Sequence, residues 1–291
     1  MAVVKKLHKG AEKKAPMAKR EVVLPDDVSE PSDALSDYSM LLYGAKKIGK
    51  TTLCAEFPDP LFLSTEPGTK ALRVRSVQVP DWLTMVAAVE ALEVRLKKDP
   101  DYCKTIAVDT VDLVYEYAFN YVCKKVGVTH PTEANDFGQT WRAVKTSFRD
   151  ILMRLLRLPC GVIFVSHDTE REVETSDGSK VDRVQPTMSG QALGEVEGIV
   201  DIIGHYGFEG RRRMLFIRGR QTLVAGSRLR ERFLRQGGKP GVPDDRVAGI
   251  PLGRTEREAY NAIIKAFNNQ QEDTGVEEVP VKSKSVKLKK K

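Results

Sequence analysis

The sequence predicts an α/β fold: a mainly parallel sheet with helices on both faces and antiparallel strands at its edge. Three observations predict it. Four short apolar runs, at 38–43, 60–65, 105–109 and 161–166, alternate with stretches of helical period. The first run ends in a glycine-containing loop that carries a lysine and a threonine. Beyond residue 200 the strand candidates shorten and crowd together, as hairpins at a sheet edge do.

Residues 1–35 are rich in Lys, Pro, Ser and Asp without periodicity and read as a disordered basic leader. Structure is expected from Asp37, with Tyr38-Ser39-Met40-Leu41-Leu42-Tyr43 a buried strand ending at Gly44. A helix starts near Lys50 and stops before Pro58. The second strand, 60–65, precedes a helix over 82–97, capped by Asp81, with apolar residues at 83, 86, 89, 92 and 96. The third strand, 105–109, feeds a helix over 111–126. A further amphipathic helix, 140–158, leads to the fourth strand. Valines alternating through 170–184 around Ser176-Asp177-Gly178-Ser179 predict an excursion hairpin. A helix at 190–203, strands at 204–209 and 213–218 running antiparallel at the edge, and a helix at 255–268 complete one domain over 36–268. The tail, 269–291, is expected to be disordered and basic at its end.

With 41% apolar and 30% charged residues, this 291-residue chain can bury a sizeable core, which excludes wholesale disorder. No apolar run approaches 18 residues, so no membrane span is expected. The basic N-terminus lacks the apolar segment of a secretory signal, and a cytoplasmic location is expected. The formal net charge of +7 resides at the ends: residues 1–20 and 281–291 each carry +6, leaving 21–280 at −5. Cys54, Cys103, Cys123 and Cys160 stand far apart, as free thiols of a reducing compartment do. Neither they nor His8, His130, His167 and His205 show zinc-ligand spacing, so a metal would be Mg²⁺ held by oxygens.

Gly44-Ala45-Lys46-Lys47-Ile48-Gly49-Lys50-Thr51, followed by Thr52, fits G-x-x-x-x-G-K-[ST] at every fixed position, between a strand and a helix. The glycines let backbone N–H groups face a β-phosphate, Lys50 reaches the β/γ-phosphates, and the Thr51 hydroxyl is a Mg²⁺ ligand. ATP and Mg²⁺ are the expected cofactors. Asp109 ends the third strand and is expected to face the loop across adjacent strands, holding Mg²⁺ through water; a helix cap is its other use. Glu66 follows the second strand, at the edge where parallel sheets bind ligands, and could deprotonate an attacking water. Thr110 stands where a glutamate after Asp109 would otherwise serve, which puts more weight on Glu66. His167 ends the fourth strand at the same edge, poised for the γ-phosphate, or is a loop histidine beside Asp168.

Glu66, the Asp109 strand and His167 together resemble the ATPase core of RecA-type recombinases. Leu41-Leu42-Tyr43-Gly44, Phe62-Leu63-Ser64-Thr65-Glu66, Ile106-Ala107-Val108-Asp109-Thr110 and Val165-Ser166-His167 are similar to phage nucleotide-binding proteins, small RecA-like P-loop ATPases that include single-strand annealing proteins. The resemblance spans about 38–220. It implies that Glu66 is the catalytic base and His167 occupies the γ-phosphate sensor position. It also implies a DNA-contacting place for 168–190, a homo-oligomeric ring or filament, and ATP near subunit interfaces.

Nine arginines, no lysine and one acid, Glu231, fall between Arg211 and Arg235. Arg211, Arg212, Arg213, Arg218 and Arg220 are candidates for a DNA-backbone track or a neighbour's ATP phosphates; a solvated strand pair is the structural alternative. The expectation is an ATP-hydrolysing protein acting on single-stranded DNA in phage recombination or repair, with a single-strand DNA-binding protein as a further candidate partner. A kinase for a small acceptor and a nucleotide-gated DNA-binding scaffold are the rivals. The absence of an NKxD motif disfavours a GTPase.

Overall fold

A computed structural model describes residues 24–175, 178–188, 190–242 and 245–271. The predicted basic stretches at 1–20 and 281–291 lie outside the described residues. Residues 24–32 carry no helix or strand.

From residue 33 onward the chain builds a ten-stranded sheet. β1 (Met40–Gly44) lies between β5 (Gly161–Glu174) and β7 (Ile202–Glu209), parallel to both. β4 (Thr105–Asp109), β2 (Pro60–Ser64) and β3 (Arg75–Gln78) continue outward from β5, also parallel. β8 (Arg212–Phe216) and β10 (Gly249–Pro251) extend the other side antiparallel, β9 (Gly226–Ser227) pairs β7, and β6 (Lys180–Pro186) folds back on β5. This is the predicted architecture.

Strand residues alternate between two cores, as the period of two requires. Leu41, Leu63, Ile106, Val108, Val162 and Phe164 face one cluster. It is closed by α2 (Trp82–Lys98), α3 (Val111–Val126), α4 (Gln139–Leu156) and α5 (Gly190–Ile199). Leu42, Phe62, Ala107, Ile163 and Val165 face the other, covered by α1 (Lys50–Cys54) and α6 (Glu256–Phe267). Asp81 caps α2 by accepting from the Thr84 amide, and Thr255 and Glu258 form a reciprocal capping box on α6. Among the described residues no helix is long and apolar enough to cross a membrane.

The structure departs from the sequence reading at five points. The strand β3 escaped the sequence, because Arg-Ser-Val-Gln has neither an apolar run nor a buried face. In α2 the inward face is Trp82, Met85, Val89, Leu92 and Leu96, while Leu83 is 62% exposed; the predicted stripe started one residue late. β7 is parallel to β1, so the antiparallel edge begins only at β8, and α5 ends at Ile199 to leave room for β7 from Ile202. Finally, β4 and β1 are not adjacent: β5 lies between them.

Candidate functional site

Gly44 ends β1 opposite Tyr206, where a Cβ would lie 2.1 Å from the Tyr206 carbonyl oxygen. Only glycine lets β7 pair there. Lys47 (φ 64°) and Gly49 (φ 107°) then take left-handed conformations that wrap the loop into α1, with Gly49 as its N-cap.

The Lys50 side chain is buried inside this loop. Its Nζ donates to the carbonyls of Gly44 and Ala45 at 2.8 Å each and lies 3.3 Å from His167 Nδ1. Burial lowers the Lys50 pKa, and the charges of Asp109, Asp168 and Asp112 act against that. Thr51 Oγ1 donates to Asp109 Oδ2 at 2.7 Å, and Thr52 Oγ1 donates to the Gly49 carbonyl at 3.2 Å. Burial raises the Asp109 carboxyl pKa; the Thr51 hydrogen bond lowers it and the Glu66 charge raises it further.

Glu66 follows β2 and stands at the N-cap position of a 3-10 turn, Pro67–Ala71, without a side-chain capping bond. Its Oε1 lies 3.6 Å from His167 Nε2. His167 therefore bridges Lys50 on one ring nitrogen and Glu66 on the other. A cleft of about 440 Å³ is lined by Lys46, Lys47, Gly49, Lys50, Thr51 and Thr52 on one side and by Glu66, Asp109 and His167 on the other. Ile48 instead packs against the core under α1 and α6.

The sequence reading missed Gly68, Ala71 and Leu72, which complete the cleft wall. The Pro67-Gly68 pair directly after Glu66 was the available signal for Gly68. Asp112 was missed as well. Its Oδ1 accepts from Ser166 Oγ at 2.9 Å and Thr187 Oγ1 at 2.5 Å, directly behind His167.

The arginine run is divided by the fold. Arg211 and Arg212 are exposed at the β7–β8 turn. Arg213 turns inward: Nη1 donates to Tyr206 Oη and to Glu256 Oε1, both at 3.1 Å, and Nε donates to the Gly253 carbonyl at 3.2 Å. Tyr206 Oη and Glu256 Oε1 each lie 3.5 Å from where a Gly49 Cβ would stand, so this cluster braces the loop. Arg218 lines a separate cleft with Arg230 and Arg246, beside Gly226 and Ser227, which pair with the start of β7. Arg220 sits over the Phe216 ring. Arg213 pairs with Phe208 near the end of β7, so Arg213 and Arg218 occupy opposite ends of that strand.

The donor set suits a magnesium ion. Thr51 and Asp109 present a hydroxyl and a carboxylate to each other, both hard oxygen donors. Among the described residues no three His, Cys, Asp or Glu side chains are grouped as a ligand set for a metal ion, so an ion here would take its remaining oxygens from phosphate and water.

A parallel sheet with a G-x-x-x-x-G-K-T loop at its carboxyl edge, closed on a buried lysine and a Thr–Asp pair, defines a P-loop nucleotide-binding protein. Residues 36–229 match the AAA domain family, and the chain belongs to it. The SPbeta prophage-derived uncharacterized protein YorG of Bacillus subtilis (strain 168) is similar, 28% identical over 144 residues. That match covers 49% of this chain and 45% of the relative, so the chain spans less than half the length of the curated relative it matches.

Proposed function

We propose that this is a RecA-like, Mg²⁺-dependent ATPase of phage origin that acts on single-stranded DNA in recombination or repair. The observation that carries the reading is the line Lys50–His167–Glu66, with separations of 3.3 and 3.6 Å along one wall of the nucleotide cleft. Lys50 neutralises the β/γ-phosphates. Glu66 accepts a proton from the attacking water, and His167 contacts the γ-phosphate between them. Thr51 and Asp109 would hold Mg²⁺, which neutralises phosphate charge when bound. The prophage relative supports the phage setting.

DNA action rests on the resemblance and on the exposed arginines. Arg211 and Arg212 are free of the loop-bracing role of Arg213 and suit phosphate contacts, to DNA or to ATP bound by a neighbouring copy in a ring or filament. The test is steady-state ATP hydrolysis with and without a single-stranded oligonucleotide. Stimulation by DNA that vanishes in Lys50→Ala supports the proposal. Hydrolysis indifferent to DNA removes the DNA role, and phosphoryl transfer to a small acceptor would replace the ATPase with a kinase.

A further inference from the structure

We infer that Asp112 is a positioning residue for His167 and couples occupancy of the phosphate site to the β5–β6 hairpin. This rests on the nucleotide-binding reading above and concerns how that site is read out. Asp112 lies in the first turn of α3, three residues beyond Asp109. Through Oδ1 it accepts from Ser166 Oγ at 2.9 Å and from Thr187 Oγ1 at 2.5 Å. Ser166 immediately precedes His167 where β5 enters the hairpin, and Thr187 immediately follows β6 where the chain leaves it. The Thr187 amide also donates to the His167 carbonyl at 2.9 Å. Both legs of the hairpin are thus tied at one point, to the residue whose ring stands 3.3 Å from Lys50.

Beyond this tie the hairpin leaves the core on its α3 side, while Asp168 stays 3.3 Å from His205 Nε2. In β5 the six residues 161–166 are all buried, and none from 167 to 174 is. A cavity of about 550 Å³, lined by Asp112, Phe119, Arg171, Thr187 and Met188, separates the hairpin from α3. The cavity is open to solvent, so no packed side chains fill the space beneath this face of the hairpin. Asp112 Oδ2 is buried without a partner, and Arg171, a donor, lines the same cavity. On its other side β6 carries the movement onward. The Val184 amide donates to the Thr222 carbonyl and its own carbonyl accepts from the Val224 amide, while Arg183 Nε donates to the Gln221 carbonyl, next to Arg220.

Phosphate drawing Lys50 from the Gly44 and Ala45 carbonyls displaces the partner of His167 Nδ1. Asp112 passes that displacement to both legs of the hairpin at once. By linkage, whatever fixes the hairpin alters nucleotide affinity by the same factor.

Hydrogen exchange of the amides at 168–175 and 180–187 tests this in the full chain, with and without Mg²⁺ and a non-hydrolysable ATP analogue. In the unsubstituted protein the analogue is expected to change exchange there by about fivefold or more, the lower end of ordinary coupling between sites. Asp112→Ala should bind the analogue yet lose the change. Thr187→Val, which removes one hydroxyl and keeps the shape, should do the same if Asp112→Ala fails to fold. An unchanged hairpin in the unsubstituted protein that binds the analogue overturns the inference, as does an intact response in Thr187→Val. Failure of the unsubstituted protein to bind the analogue instead overturns the nucleotide reading beneath it.

Discussion

The Thr51 hydroxyl donates to the Asp109 carboxylate at 2.7 Å even though β5 lies between the strands that lead to them. The phosphate loop and the β4 carboxylate meet above the intervening strand, and His167, where β5 leaves the core, lies 3.3 Å from Lys50. Burial raises the Asp109 pKa, so its charge is held against a solvation cost that a bound cation would offset.

Asp109→Asn should therefore stabilise the nucleotide-free protein while abolishing Mg²⁺-dependent nucleotide binding. A carboxyl whose pKa is raised by folding binds its proton more tightly in the native state. Stability is full below the unfolded pKa and falls as pH rises through the folded one. The gain in Tm for Asn over Asp should appear at neutral pH and shrink towards zero as pH drops below the ordinary aspartate range. Thermal melts at both ends of that range check the sign.

The pH profile of nucleotide binding should be narrower than free side chains would give. Asp109 must be ionised, so its acid limb should lie above the usual aspartate range. Lys50 must be charged, and burial makes it lose its proton below the usual lysine range. Fluorescence titration of a nucleotide analogue across pH should show both limbs. Asp109→Asn should leave only weak, Mg²⁺-independent binding without the acid limb.

The parts of this site that could be read from sequence are those built by neighbours in the chain. The phosphate loop is eight consecutive residues, and Glu66 and His167 were legible because each ends an apolar run. Asp112 was not, because its partners Ser166 and Thr187 lie 54 and 75 residues away. Strand order is likewise a long-range property. Four apolar runs do not say that β5 separates β1 from β4, or that a polar segment such as Arg75–Gln78 will pair at the edge. The arginine run looked like one feature because its residues lie close together in the chain, whereas Glu256, 43 residues after Arg213, decides that Arg213 is structural.

Arg213 should accordingly behave unlike its neighbours. Arg213→Ala leaves Glu256 and the Tyr206 hydroxyl without their shared donor, which should cost about 1–3 kcal/mol of stability. The cluster braces Gly49, so nucleotide affinity should fall as well. Arg211→Ala and Arg212→Ala, at exposed positions, should leave Tm unchanged. Melting curves of the three variants decide it; equal effects would contradict the division of the run.

Gly44→Ala should be among the least tolerated substitutions in the loop. The added Cβ would stand 2.1 Å from the Tyr206 carbonyl, a backbone atom of a paired strand that cannot rotate away. Strain of this kind costs about 1–3 kcal/mol, and here it also shifts the carbonyl that Lys50 binds. Both Tm and nucleotide affinity should fall together.

Glu66→Gln separates binding from chemistry. The amide keeps the size of the carboxylate but cannot take a proton from water, so turnover should fall by about 10²–10⁴-fold while nucleotide affinity survives. A second effect follows from the neighbouring acid. The Glu66 charge helps raise the Asp109 pKa, and removing it should move the acid limb of nucleotide binding to lower pH. A glutamate with no part in the chemistry would move only the acid limb, through its charge, and leave turnover unchanged. Single-turnover hydrolysis together with binding titrations at several pH values reads both, and turnover that persists in Glu66→Gln would assign the proton to another group.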